Sequence, residues 1–303
     1  MRRADSALWV STAALGCVVM VAAGLSGCKA PNDASQVPPS PPAGLHCIDD
    51  RVQVDGLRLA GSGSCLALAV ELASVWHTAG QSPALHVSET IGTRGAVQAL
   101  LDGAIDVGLA SRPLRSDETA AGVHALPLAR AALAFVVDAR NPTQRLTSRQ
   151  LVAMYRGELR HWDNGSPVRL LTRELGDSGT LAIAAASPEL AAAMQNAAAV
   201  GRAVVRYTDQ EMRDALLTGQ GALGILDVGI IRLEGLPLRA LQVDGLRPDA
   251  ASVAAGVWPY TKSLALLFGP HSPVTAARLS DFLRTNGARS AFARGGYVEA
   301  SSL

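Results

Sequence analysis

Three short stretches gather small hydroxyl residues and glycines: Gly61-Ser62-Gly63-Ser64-Cys65, Ile91-Gly92-Thr93-Arg94-Gly95 and Gly176-Asp177-Ser178-Gly179-Thr180. Each falls where an apolar, strand-like run gives way to helical spacing. A helix start exposes backbone N–H groups that lack intrahelical partners, together with the positive end of the peptide dipole, and this combination holds anions. Glycine lets the backbone come close, and Ser and Thr add hydroxyl groups. Ordinary N-caps use the same residue types, so one such turn says little. Three of them, with Arg173 just ahead of the last, point to an oxyanion, because the planar guanidinium fork matches a tetrahedral oxyanion.

The competing chemistry is nucleophilic, with Ser178 as the nucleophile. It would need a histidine base within reach. The six histidines (His46, His77, His86, His124, His161 and His271) lie in no catalytic motif, and no G-x-S-x-G elbow occurs. No glycine-rich turn ends in Gly-Lys-Ser/Thr, which excludes a Walker-type phosphate loop. Without CxxC or paired His/Cys spacing a metal site is not expected. The reading is therefore a binding protein with no catalytic residues, no metal and no cofactor.

The elements that would carry these turns alternate. "LRLAG" reads as a strand, "LALAVELASVWHTAG" as a helix ending at Gly80, "ALHVSET" as a strand, "AVQALLDGA" as a helix and "IDVGLA" as a strand. Such alternation predicts βαβ units with parallel strands. "HALPLARAALAFVVDAR" is a long apolar strand able to leave the first unit, and "TSRQLVAMYRGEL" a capped helix. "PVRLLTREL" is a strand entering the third turn. "LAIAAASPELAAAMQNAAAV" reads as a broken helix with Pro188 opening its second piece. "DQEMRDALLTGQGALGILDVGII" gives a helix, a glycine stop and a strand, "WPYTKSLALLFG" a strand, and "SPVTAARLSDFLRTNGARSAFARGG" one or two helices.

The N-terminus assigns the compartment. Arg2 and Arg3 precede the uncharged apolar run Ala7 to Gly24, followed by Leu25-Ser26-Gly27-Cys28. This pattern resembles the signal peptide (1–27) and lipobox of bacterial lipoproteins, with Cys28 as the lipidated residue, rather than an uncleaved membrane span. Residues 28–45 are rich in proline and small polar residues, as in an extended tether. The chain is thus expected in the bacterial cell envelope, periplasmic or extracytoplasmic, anchored to the membrane through lipid at Cys28. A net charge of +1 and the lack of a basic run exclude a nucleic-acid partner. Cys47 and Cys65 remain in the mature chain; in an oxidising compartment they either pair or stay as two buried thiols.

From about Leu57 to Val298 the order of motifs resembles the phosphate-binding (PstS-like) proteins that serve ABC-type phosphate importers. "GSGSCLAL" is similar to that family's first turn, and "IGTRGAVQALLDGAIDVGLASRPLRSDE" to its turn, helix and D-x-G-x-S-x-x-P-L strand. "LTSRQLVAMYRGELRHWDNG", "TGQGALGILDVG", "WPYTKSLALLFG" and "GARSAFARGGYV" follow in the family's order. The resemblance implies an α/β, two-lobed periplasmic binding protein type 2 fold, each lobe a mixed sheet flanked by helices, with the ligand in the cleft. Lobe one would comprise 46–137 plus 258–303, and lobe two 138–257. It also implies a monomeric partner of an ABC permease and ATPase that captures phosphate or a similar oxyanion. A sensor or adaptor lipoprotein on the same fold is the alternative.

Carried over by position, the ligand groups would be Ser62, Ser64 and the Cys65 amide in the first turn, Thr93 in the second, and Ser178, Gly179 and Thr180 in the third, with Arg173 as the ligand arginine. Two departures stand out. The aspartate by which the family's phosphate binders accept a ligand proton falls here on Ser111, followed by Arg112. One extra residue also separates Arg173 from Ser178. Asp177 is expected to cap the helix, with proton acceptance as its alternative role.

Overall fold

The computed structural model describes residues 55–301. The signal segment, Cys28, the tether and Cys47 lie outside the described residues. Strand β1 (Leu57–Gly61) buries Leu57 and Leu59 and ends in the first glycine turn. Helix α1 (Gly63–Thr78), β2 (Leu85–Thr90), α2 (Gly92–Leu101) and β3 (Val107–Ala110) follow. β2 and β3 flank β1, both parallel to it. The expected βαβ units are therefore present. The backbones of β1 and β3 approach closely at Gly61, where a side-chain Cβ would stand 2.2 Å from the Leu109 carbonyl oxygen. The Ser62 N–H donates to that same oxygen at 2.8 Å.

A short helix, α3 (Ser116–Ala120), leads into β4 (His124–Asp138), fifteen residues long and buried almost throughout its second half. β5 (Arg145–Leu146) and α4 (Ser148–Arg156) come next, α4 opened by a reciprocal box between Thr147 and Gln150. A second βα arrangement then repeats the plan of the first: β6 (Arg169–Arg173), α5 (Ser178–Ala186), α6 (Pro188–Ala199), β7 (Ala203–Arg206), α7 (Asp209–Thr218) and β8 (Ala222–Asp227). β7 and β8 flank β6 in parallel. Pro188 occupies the first turn of α6, where its missing N–H costs nothing.

The chain continues through α8 (Val228–Leu233), β9 (Leu238–Ala240), β10 (Gln242–Val243) and α9 (Ala250–Ala254). It closes with β11 (Thr261–Phe268), a 3-10 turn (Val274–Ala277), α10 (Arg278–Leu283), α11 (Asn286–Gly295) and β12 (Val298–Glu299). β10 pairs with β5 as a separate two-stranded ladder.

The principal sheet runs β2-β1-β3-β11-β4-β8-β6-β7. β4 joins its two parallel sets: its first part pairs antiparallel with β11, up to Ala132↔Thr261, and its last part with β8, from Leu133↔Asp227 onward. Apolar residues collect on either side of this junction. One cluster combines Phe135, Tyr155, Ile183, Leu190 and Trp258; a second joins Leu59, Leu68, Trp76 and Phe292. Phe135 is fully enclosed and meets Tyr260 edge to face, with centroids 5.5 Å apart. Phe135→Ala should therefore lower unfolding free energy by about 3–5 kcal/mol, to be read as a fall in the urea midpoint with unchanged slope.

Candidate functional site

In each parallel set the helices spring from the C-terminal ends of the strands, the place where open α/β sheets present ligand sites. A cavity of about 380 Å³ lies there, lined by the ends of β1, β2, β3, β6 and β7. Ser62 is the N-cap residue of α1, yet its hydroxyl makes no capping bond. It meets the Ser111 hydroxyl at 2.7 Å instead. Ser111 donates to Ser178 Oγ at 2.8 Å. A hydroxyl has one proton, so Ser62 must donate to Ser111, and a directed chain of three hydroxyls runs from β1 to the start of α5. Thr93 supports it from behind, its Oγ1 accepting from the Ser111 N–H at 3.2 Å.

Arg173, the last residue of β6, has a side chain only 7% exposed. Its Nη2 donates to Asp177 Oδ2 at 2.8 Å, and Nη1 lies 3.7 Å from Asp209 Oδ1. Nε and Nη1 nevertheless lack a hydrogen-bond partner. Asp177 does what its place in the sequence predicts: its Oδ1 accepts from the Gly179 and Thr180 N–H groups at 2.9 and 3.4 Å and so caps α5. It therefore both balances Arg173 and uses the amides of the third turn.

The sequence-predicted residues separate into two groups. Ser62, Thr93, Ser111, Arg173 and Ser178 line the cavity together. Ser64, Cys65, Gly179 and Thr180 lie behind its wall. The Ser64 hydroxyl is engaged inward by the Lys262 ammonium, which donates to it at 2.6 Å. The Cys65 amide donates to the Ser62 carbonyl, and its thiol to the Ala110 carbonyl at 3.2 Å. Burial pushes that thiol pKa well up, which leaves it unreactive. Arg112 borders the cavity, but its guanidinium is held by both Glu118 oxygens at 2.8 and 2.7 Å.

Sequence reading expected the helix that became α7 but did not assign its start to the site. Tyr207, Thr208 and Asp209 line the cavity from the end of β7. The signal was present as Thr208-x-x-Glu211, the sequence signature of a capping box; Thr208 accepts from the Glu211 N–H, while the Glu211 carboxylate accepts from the Tyr207 N–H, one residue before the cap. It carries no glycine, so it did not look like the other three turns. Asp209 sits where a Cβ on Gly63 would lie 2.5 Å from its Oδ2. Glycine at 63 lets the Asp209 carboxylate approach the start of α1 this closely.

A family model described as a PBP superfamily domain matches residues 40–267, more than half of the chain. The chain belongs to that superfamily. Among curated relatives, phosphate-binding protein PstS 2 of Streptococcus agalactiae is 26% identical over 106 residues. That match spans 35% of this chain and 36% of the relative. Two solved structures share the fold. A Clostridium perfringens protein, assigned as a phosphate ABC transporter substrate-binding protein and solved with phosphate bound, has a TM-score of 0.67 at 17% identity, over 81% of this chain and all of that one. An ABC-type phosphate transport receptor from Vibrio cholerae gives 0.56 at 20% identity, over 80% of this chain and all of that one. The fold is thus the two-lobed α/β fold of periplasmic binding proteins.

Beside the cavity, hydrogen bonds from Arg112 hold the Glu118 carboxyl below its usual pKa, against the opposing effect of burial. A carboxylate with a depressed folded pKa stabilises above its unfolded value and loses that contribution as pH falls through the folded one. Glu118→Gln should cost about 1–3 kcal/mol at neutral pH. The difference from wild type should fade below the ordinary glutamate value of about 4.3, as followed by thermal melts from pH 7 to pH 3.

Proposed function

We propose that this chain captures a tetrahedral oxyanion, inorganic phosphate first among them, outside the cytoplasm and delivers it to an ABC-type importer. One observation carries the reading: Arg173 is buried with two N–H positions unsatisfied, beside a cavity edged by Ser62, Ser111 and Ser178. A buried donor without a partner costs free energy, and an oxyanion in the cavity would offer the guanidinium an acceptor. The names of the Streptococcus, Clostridium and Vibrio proteins support phosphate as the ligand class. The family assignment supports a role in solute capture.

In this reading 46–137 with 258–303 form lobe one and 138–257 lobe two, and the ligand lies where they meet. Ser62, Thr93 and Ser111 would reach it from lobe one, Arg173 and Ser178 from lobe two. Ser64, Cys65, Gly179 and Thr180 would serve as the supporting wall. No histidine is among the described residues of the cavity lining, and Ser178 Oγ accepts a hydrogen bond from Ser111, which favours binding over covalent chemistry at Ser178. Lipid on Cys28 would keep the protein at the membrane beside its permease and ATPase.

Calorimetric titration of the purified protein with phosphate, arsenate, molybdate and sulfate tests this. Phosphate should bind and raise the melting temperature by mass action. Absence of binding by every oxyanion would sink the reading. Arg173→Ala should weaken phosphate binding by roughly 100-fold or more, in line with the cost of removing one side of a buried charge contact.

A further inference from the structure

Beside the anion cavity lies a larger one of about 850 Å³, between the ends of β6 and β7 and the helices α5 and α6. Thr172 and Val205 are partners in the parallel register of the two strands and face it from the sheet. Its walls are otherwise largely apolar, with Leu175, Ala192, Met194, Ala198 and the ring of Tyr207. Arg173, Glu174, Gly176 and Tyr207 border both cavities. The two are thus separated by the Glu174-Leu175-Gly176 turn that follows β6. A Cβ on Gly176 would meet no atom within 4 Å, so the space beside this shared wall is open.

Two features of the second cavity call for an occupant. Leu175 and Tyr207 are each 63% exposed and belong to none of the apolar clusters that hold the fold together. Such side chains gain only when something covers them. The Thr180 hydroxyl borders the same space, on a residue 4% exposed, and has no hydrogen-bond partner. A buried hydroxyl left unpaired costs free energy. Apolar walls with a few polar groups set among them are the make-up of a small-molecule site.

Charge decides which kind of molecule fits. The charged residues at the second cavity are Arg173 and Glu174. Arg173 is already met by Asp177 and Asp209, and Glu174 repels a further anion. Whatever enters this space is therefore uncharged. A bare tetrahedral oxyanion needs only the first cavity. An oxyanion with an apolar group on one oxygen would set its charge at Arg173 and its substituent among Leu175, Ala198 and Val205.

We propose that the two cavities form one site, in which the second takes the uncharged, apolar substituent of an organic phosphate monoester. The inference rests on the oxyanion reading above. Inorganic phosphate fills the first cavity alone; an ester uses both, passing beside Gly176. Leu175 and Tyr207 cover the substituent, and the Thr180 hydroxyl is free to bond a polar atom on it.

Calorimetric titration at pH 7 with inorganic phosphate, methyl phosphate and phenyl phosphate tests this in wild type, Ala198→Phe and Leu175→Ser. Methyl phosphate is the same kind of ester without the ring, so the ratio of the two ester affinities reports the second cavity. Wild type should bind phenyl phosphate at least about tenfold more tightly than methyl phosphate, because the ring leaves water for an apolar wall. Ala198→Phe fills that space and should bring the ratio to about one, while inorganic phosphate affinity stays within about twofold of wild type. Leu175→Ser, at an exposed position, should lower the ratio by at least about threefold. A wild-type ratio near one, or refusal of both esters beside binding of inorganic phosphate, overturns this inference alone. So does a wild-type ratio kept by Leu175→Ser, which decides the matter even if Ala198→Phe does not fold. Binding of none of the three overturns both this inference and the functional reading.

Discussion

A guanidinium taken out of water must be surrounded by acceptors, and the placement of Arg173 organises everything near it. Its strand, β6, ends at the residue itself, so the chain must turn at once and start a helix. The turn supplies Asp177, which answers one nitrogen and caps the new helix with its other oxygen. The neighbouring strand end supplies Asp209. Two carboxylates near one cation leave no excess positive charge at the arginine, yet two of its nitrogens still lack a bond. The site therefore carries no excess positive charge and is incomplete in hydrogen bonding, a want that the acceptor oxygens of a ligand would meet.

The same economy governs the hydroxyls. In an ordinary N-cap a serine oxygen is consumed by the helix it begins. Ser62 is spared that task and faces Ser111, so one proton per residue passes in a single direction to Ser178. Thr208 behaves in the ordinary way and caps its helix. The two N-cap oxygens at the cavity thus differ in where they point, Ser62 toward another strand end and Thr208 into its own helix.

That distinction explains what could be read from the chain beforehand. The alternation of strands and helices, the long strand β4 and the break at Pro188 follow from local patterns of spacing and turn chemistry, whereas the grouping of Ser62, Thr93, Ser111, Arg173 and Ser178 was expected from the family resemblance. Ser64 and Thr180 belong to the same turns but do not line the cavity, and sequence does not tell which way a side chain faces within one helical turn. Asp209 escaped notice for lack of glycine. Lys262 and Asp227 were out of reach altogether: one lies in an apolar strand and the other at a strand end, and only the sheet order brings residues 35 positions apart into contact.

β4 changes partners between Ala132 and Leu133, where the Leu133 N–H still donates to the Tyr260 carbonyl at 2.9 Å. The two halves are therefore joined by continuous extended backbone and not by a loose connection. Any parting of Ser111 from Ser178 would therefore act also on this ladder, which both parallel sets share.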